Sequence, residues 1–186
     1  VADAPGLLAS IDNSAGAIAS GGAHDIKSAA LNNDAGLLQS AGQLTIDTNG
    51  HALTNANGAE ILAKGDLAIA SGTLNNARGT IATEGAMHIG SGDLNNDAGL
   101  LQSVGQLDID TNGQRLSNAN GRMIATKGDV VIDSGTLNNT QGTIATEGAA
   151  RISSGELNND EGVLQSAGAL AIDTHGQRLS NRNTLA

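Results

Sequence analysis

The chain of 186 residues has no cysteine and no phenylalanine, tyrosine or tryptophan, and Pro5 is its one proline. Without cysteine there is no disulfide framework and no thiolate chemistry. Without aromatic rings, a globular core would lack the side chains that normally give it bulk. The apolar residues are Leu, Ile, Val and Ala with two Met, which suits a narrow interior of constant cross-section. With proline nearly absent, turns fall to Asn and to 26 Gly residues. Cations are scarce as well. Nine Lys and Arg stand against 19 Asp and Glu, a net charge of −10, so the surface repels nucleic acid and anionic lipid. No apolar run is long enough to cross a bilayer. Val1–Ser10 has neither the basic start nor the apolar stretch of an export signal, so the chain is expected to be a segment of a longer filament.

A short motif recurs throughout. Leu-x-Asn-x-x-Gly occurs at Leu31-Asn33-Gly36, Leu53-Asn55-Gly58, Leu74-Asn76-Gly79, Leu94-Asn96-Gly99, Leu116-Asn118-Gly121, Leu137-Asn139-Gly142 and Leu157-Asn159-Gly162. Ile11-Asn13-Gly16 is a variant, and Leu179-Asn181 starts a further copy with Thr184 in the Gly place. From Ile11 the starts are separated by 20, 22, 21, 20, 22, 21, 20 and 22 residues, so every three units sum to 63. Residues 31–93 and 94–156 agree at 45 of those 63 positions. A unit of 20 to 22 residues is thus nested in a three-unit block.

Within a unit, the apolar positions alternate. Leu74 and Asn76, Ile81 and Thr83, and Met87 and Ile89 each lie two apart, the strand period. Gly, Asn or Ser separates these short runs, and no window keeps a helical spacing. One such unit cannot bury its apolar side alone, but stacked units can. The expected fold is therefore all-β: a right-handed parallel β-helix with three short strands per coil, each strand pairing with its copy one turn along. Residues 11–186 form this single domain, with residues 1–10 as an irregular edge. In the Leu53 unit the extra residue is expected after Gly58, displacing Ile61 by one place. In the Leu31 unit two extra residues are expected after Ile46, within Asp47–Ala52.

Stacking puts Asn13, Asn33, Asn55, Asn76, Asn96, Asn118, Asn139, Asn159 and Asn181 one above another. Buried amides must be satisfied, and stacked amides satisfy each other. A structural ladder is the expected role. The residue before the second Gly runs Ala41, Lys64, Glu84, Val104, Lys127, Glu147, Ala167. Lys64 is expected to face Glu84, and Lys127 to face Glu147, as cross-coil ion pairs.

Sites for chemistry are thin. Asp47, Asp110 and Asp173 share one turn position but lie three coils apart, about 14 Å. Asp110 and Asp133 are the one pair placed to approach, and they are expected to be solvated carboxylates. His24, His51, His88 and His175 sit in different coils without ligand spacing. No Gly-x-Ser-x-Gly occurs and the Gly residues form no phosphate loop. Asn120-Gly121-Arg122 falls on the repeat pattern. No catalytic residue, metal site or cofactor is expected. A polysaccharide-cleaving β-helix enzyme would need long loops around a cleft, and the insertions here are one or two residues.

The unit resembles the filamentous haemagglutinin repeat, Leu-x-Asn-x-x-Gly-x-Leu/Ile-x-x-x-Gly-x-Leu-x-Ile. Leu94-Asn95-Asn96-Asp97-Ala98-Gly99-Leu100-Leu101 with Gly105, Leu107 and Ile109 follows it closely, and the resemblance runs from residue 11 to about 183. It implies a right-handed β-helix in a secreted or cell-surface exoprotein of a Gram-negative bacterium. Such proteins leave the cell by two-partner secretion through an outer-membrane transporter. They include filamentous adhesins, which contribute to virulence, and the toxin-delivery filaments of contact-dependent growth inhibition. The implied role is a structural shaft that projects adhesive or toxin-delivery domains. Its partners are then the rest of its own filament and a glycan or receptor on a host or neighbouring cell. The alternative is a carbohydrate- or receptor-binding module that uses one face of the β-helix.

Overall fold

The computed structural model describes residues 9–121 and 123–183. Every strand in it pairs in parallel with a strand 20 to 23 residues away. The chain winds as a β-solenoid, and no helix occurs among the described residues. We number the coils from their Leu-x-Asn starts: coil 1 at Ile11, then 2 at Leu31, 3 at Leu53, 4 at Leu74, 5 at Leu94, 6 at Leu116, 7 at Leu137 and 8 at Leu157. Leu179–Ser180 begins the ninth turn.

Coil 4 shows the plan. Its first strand is Thr73–Asn75, its second Thr80–Thr83 and its third Met87–Gly90. The second strands form their own eight-stranded sheet from Ala17–Ser20 to Val163–Ser166. The first and third strands share the other sheet, because Val130–Asn138 and Ala150–Asn158 run from a third strand straight into the next first strand.

Register follows the side-chain period of two. Leu31 pairs with Leu53, Ile61 with Ile81 and Ile89 with Ile109, so like residues form continuous aliphatic columns. Leu38, Ile61, Ile81, Leu101 and Ile124 are fully buried in one of them, each worth about 1.5–3 kcal/mol of burial. Aliphatic side chains of both sheets fill the interior as one cluster. A ring in one coil would have to fit against an aliphatic residue in the next, which accounts for the missing aromatics.

The turns differ in two ways from what the letters of the motif suggest. The Gly of the motif mostly does not supply a left-handed backbone. That seat belongs to the residue before it, such as Ala35 (φ 54°), Arg78 (φ 60°) or Gln141 (φ 57°). The Gly is needed for close approach instead: a Cβ on Gly79 would lie 1.8 Å from the Asn55 carbonyl of the coil below. The second difference is the place of the extra residue in coil 3. Ala59, not Gly58, closes the turn onto Ala56 and offers its carbonyl to Thr80, as Gly79 does to Leu100 one coil on. Gly58 is itself the extra residue, at φ 84° with open space around it. The motif aligns Gly58 with Gly79 by letter, but the backbone aligns Ala59 with Gly79.

The two-residue insertion in coil 2 is a tight turn at Asn49-Gly50, with φ of 50° and 77°. Asn-Gly is the pair that tolerates two successive positive φ values. Asn112-Gly113 and His175-Gly176 repeat it, so this loop projects once in every three coils. Residues 1–8, Arg122 and Thr184, to which the N-terminal edge, the Asn120-Gly121-Arg122 tripeptide and the last Gly place refer, lie outside the described residues.

Candidate functional site

The nine motif asparagines form one file through the solenoid. Asn13 Nδ2 donates to Asn33 Oδ1 at 2.7 Å, Asn33 to Asn55 at 2.7 Å and Asn55 to Asn76 at 2.8 Å. The same bond continues through Asn96, Asn118, Asn139 and Asn159 to Asn181. The second N–H of the amide is used too. Asn76 Nδ2 also meets the Leu100 carbonyl at 3.1 Å, and Asn118 Nδ2 meets the Thr143 carbonyl at 3.1 Å. Those backbone carbonyls can only accept, so they orient each amide, and every bond in the file points the same way. Chains of aligned hydrogen bonds polarise one another. Asn33, Asn55, Asn76, Asn96, Asn118 and Asn139 are fully buried, whereas Asn181 is exposed.

Two more polar columns line the corners. The hydroxyls of Ser40, Thr83, Thr126 and Thr146 donate to glycine carbonyls of the coil before, those of Gly22, Gly65, Gly105 and Gly128. Beside the Leu column runs an outward row, Asn32, Asn75, Asn95, Asn138 and Asn158, each accepting from the backbone N–H two residues on. In coils 3 and 6, and at the start of the ninth turn, this place holds Thr54, Ser117 and Ser180, which are too short to do so. There the carboxylate of the preceding coil substitutes. Asp34 accepts from Ala56 N, Asp97 from Ala119 N and Asp160 from Arg182 N. The Ser180 hydroxyl and then the Arg182 N–H hold the Asp160 carboxyl below the usual carboxylate range. Ser14 does the same for Asp12, through its hydroxyl and then its backbone N–H. Sequence reading missed this set. Its only trace is that Asp34, Asp97 and Asp160 recur at the 63-residue interval.

The carboxylates singled out from sequence also close turns. Asp47 Oδ1 accepts from Asn49 N at 2.8 Å, Asp110 from Asn112 N at 2.7 Å and Asp173 from His175 N at 2.8 Å. Asp110 and Asp133 are register partners on neighbouring coils. The histidines are spread out. His24 takes the inward place that Leu44 takes one coil on, His88 Nδ1 lies 3.1 Å from Asp108, His175 meets Ser153, and His51 is exposed in the coil 2 loop. No group of three or more His, Asp or Glu able to hold a metal occurs among the described residues.

Lys64 and Glu84 stand one above the other, with the Glu84 N–H donating to Ala63. Lys127 and Glu147 repeat the arrangement through Thr126. The backbone brings each pair to adjacent rungs, but the side chains form no ion pair: among the described residues the ion pairs are His88–Asp108, His175–Asp173 and Arg178–Glu156. All four side chains are exposed. A contact in water gains too little there to offset the rotamer freedom of two long side chains.

The family model for the haemagglutinin repeat matches residues 3–50, 39–121 and 102–185. This chain belongs to the haemagglutinin repeat family. The second and third matches begin at residues 39 and 102, a separation of 63, which is the block length found in the sequence. No curated protein and no solved structure matches the chain. Haemagglutinin repeats are structural repeats typical of secreted or cell-surface proteins, and the continuous β-solenoid fits the shaft of a filament.

Proposed function

We propose that the chain is a stiff spacer within a long exoprotein, holding adhesive or toxin-delivery domains away from the bacterial surface. The observation that carries this reading is the uninterrupted asparagine file, eight successive hydrogen bonds of 2.6–2.8 Å through the solenoid. A bend or a slipped coil would break at least one of them. The work of such a segment is mechanical: it sets a distance of about 4.8 Å per coil and resists bending. The two-residue insertions are single turns closed by their own Asp and Thr residues, and Asn49 and Asn112 tie them to the Ser28 and Ser91 carbonyls of the coil before, so they brace the stack. Export unfolded and progressive folding outside the cell suit a chain whose units pair only with their neighbours.

Removing residues 94–156 from the chain tests the reading. The product should stay folded and shorten by three rungs, about 14 Å by small-angle scattering. In the parent filament the same deletion should reduce reach and leave the terminal domain's binding or toxicity intact. Direct, saturable binding of the isolated chain on a glycan array would instead support a binding module and overturn the spacer.

A further inference from the structure

The outward face of the second-strand sheet differs from the rest of the surface. Along Leu100–Ser103 the outward side chains are Leu100 and Gln102, and Val104 continues the alternation, 46% exposed. The equivalent columns in other coils hold Ala, Thr, Gln, Leu, Met and Val, with Glu60 their one charge outside the Val104 column. No two-residue loop projects here, because those loops sit between third and first strands. The charges of the Val104 column are ordered: Lys64, Glu84, Val104, Lys127 and Glu147 in coils 3 to 7. None of the four has an ion-pair partner among the described residues.

That order is self-complementary. A two-fold axis lying in the face, at coil 5 and perpendicular to the solenoid, sets each column against its own reverse. Lys64 then meets Glu147, Glu84 meets Lys127, and Val104 meets Val104. The neighbouring columns match as well, with Leu100 on Leu100, Gln102 on Gln102 and Ala82 on Ala125. An unshifted parallel pairing along this column would oppose Lys to Lys. A parallel pairing shifted by one coil would satisfy two charge pairs and set Glu84 and Lys127 against Val104.

We infer that this face is a lateral interface for a second copy of the chain, running antiparallel. With the axis at coil 5 the second strands of coils 2 to 8 overlap, and seven strands at about 4.8 Å by four residues at about 3.3 Å give a face of roughly 440 Å² per partner. The total of about 900 Å² falls below the range for stable interfaces and in that of weak, transient ones. Pairing of this segment is therefore weak and reversible, and longer runs of the repeat pair more tightly.

Sedimentation equilibrium up to about 1 mM protein tests it. The wild-type chain should dimerise. K64E/K127E should weaken dimerisation by roughly tenfold or more at low salt, with the melting temperature unchanged. An equimolar mixture of K64E/K127E with E84K/E147K should restore it. K64E/E147K, which exchanges residues across the axis, should dimerise like wild type. K64E/E84K should not; if it dimerises, the pairing is parallel and the inference fails. The chain has no cysteine, so Val104→Cys with a bismaleimide reports the axis directly, and efficient cross-linking is expected. A wild-type chain that stays monomeric would overturn the interface. So would a dimer indifferent to all these charges, since that marks end-to-end stacking of open coils.

Discussion

Coils 5 and 8 are nearly the same sequence in two situations. Leu107 and Ile109 in coil 5 are fully buried, whereas their counterparts Leu170 and Ile172 in coil 8 are 45% and 36% exposed. Both pairs lie on four-residue third strands with the same inward alternation. Coil 5 has a coil on each side along its whole length, and among the described residues coil 8 has only the short Leu179–Ser180 strand beyond it. The hollow this leaves, about 320 Å³, is lined by Leu157, Leu164, Leu170 and Ile172. Burial is thus a property of neighbours and not of the coil itself. Stability in such a stack is a sum of coil and interface terms, so one substitution should act differently in the middle and at the end.

The largest contrast is between two glycines of interior coils that differ in what the neighbouring coil places against them. Gly142→Ala would put a Cβ 1.8 Å from the Asn118 carbonyl and 2.6 Å from Asn139 Oδ1. The coils must separate, at a cost of about 4 kcal/mol or more. Gly58→Ala meets nothing within 4 Å and pays only for its positive φ, about 1 kcal/mol. Thermal melts of the two variants check the order.

Asparagine comes next. Asn96→Ala leaves one Nδ2–H of Asn76 and the Oδ1 of Asn118 buried without their partner, and should destabilise by about 2–5 kcal/mol. Asn181→Ala removes one bond at an exposed position and should cost less than about 1 kcal/mol. Equal effects in urea titrations would show that the file is not cooperative. For the aliphatic columns, Ile109→Ala should cost about 2–5 kcal/mol and Ile172→Ala a small fraction of that.

Acid should act first at the ends. The Asp12 and Asp160 carboxyls are held below the usual range by hydrogen bonds to the charged form. A lowered carboxyl pKa adds stability that is present above the unfolded value, about 3.9. That stability is lost as pH falls through the lower folded value. Below pH 4, amide exchange should therefore quicken around Asp12 and around Asp160–Arg182 before it does in coils 4 and 5. The smallest effect is expected at Ser71 and Ser134, whose buried hydroxyls have no hydrogen-bond partner. Ser71→Ala should be neutral or stabilising by up to about 1 kcal/mol.

The period and the inward columns were legible because a side-chain period of two, repeated nine times, leaves little freedom in register. The positions of the asparagines followed from the same count. The turns were less legible. Gly58 and Gly79 occupy the same letter of the motif, but one is an inserted residue and the other is squeezed against the coil below. Only the path of the backbone separates those roles. The substitution of Asp34, Asp97 and Asp160 for missing asparagines depends on which coil lies above, and a single unit carries no sign of it. The charges at Lys64 and Glu84 were placed on adjacent rungs by register alone. Whether exposed side chains meet is decided by solvent, which register does not encode.

The central claim is that each coil is held by its neighbours. Amide hydrogen exchange resolved by strand tests it most directly, comparing Leu107–Asp110 with Leu170–Asp173. Exchange should be slower by orders of magnitude in the first segment, with protection falling smoothly toward the C-terminal end. Equal protection in the two segments would mean that a coil carries its own stability, and would contradict the account.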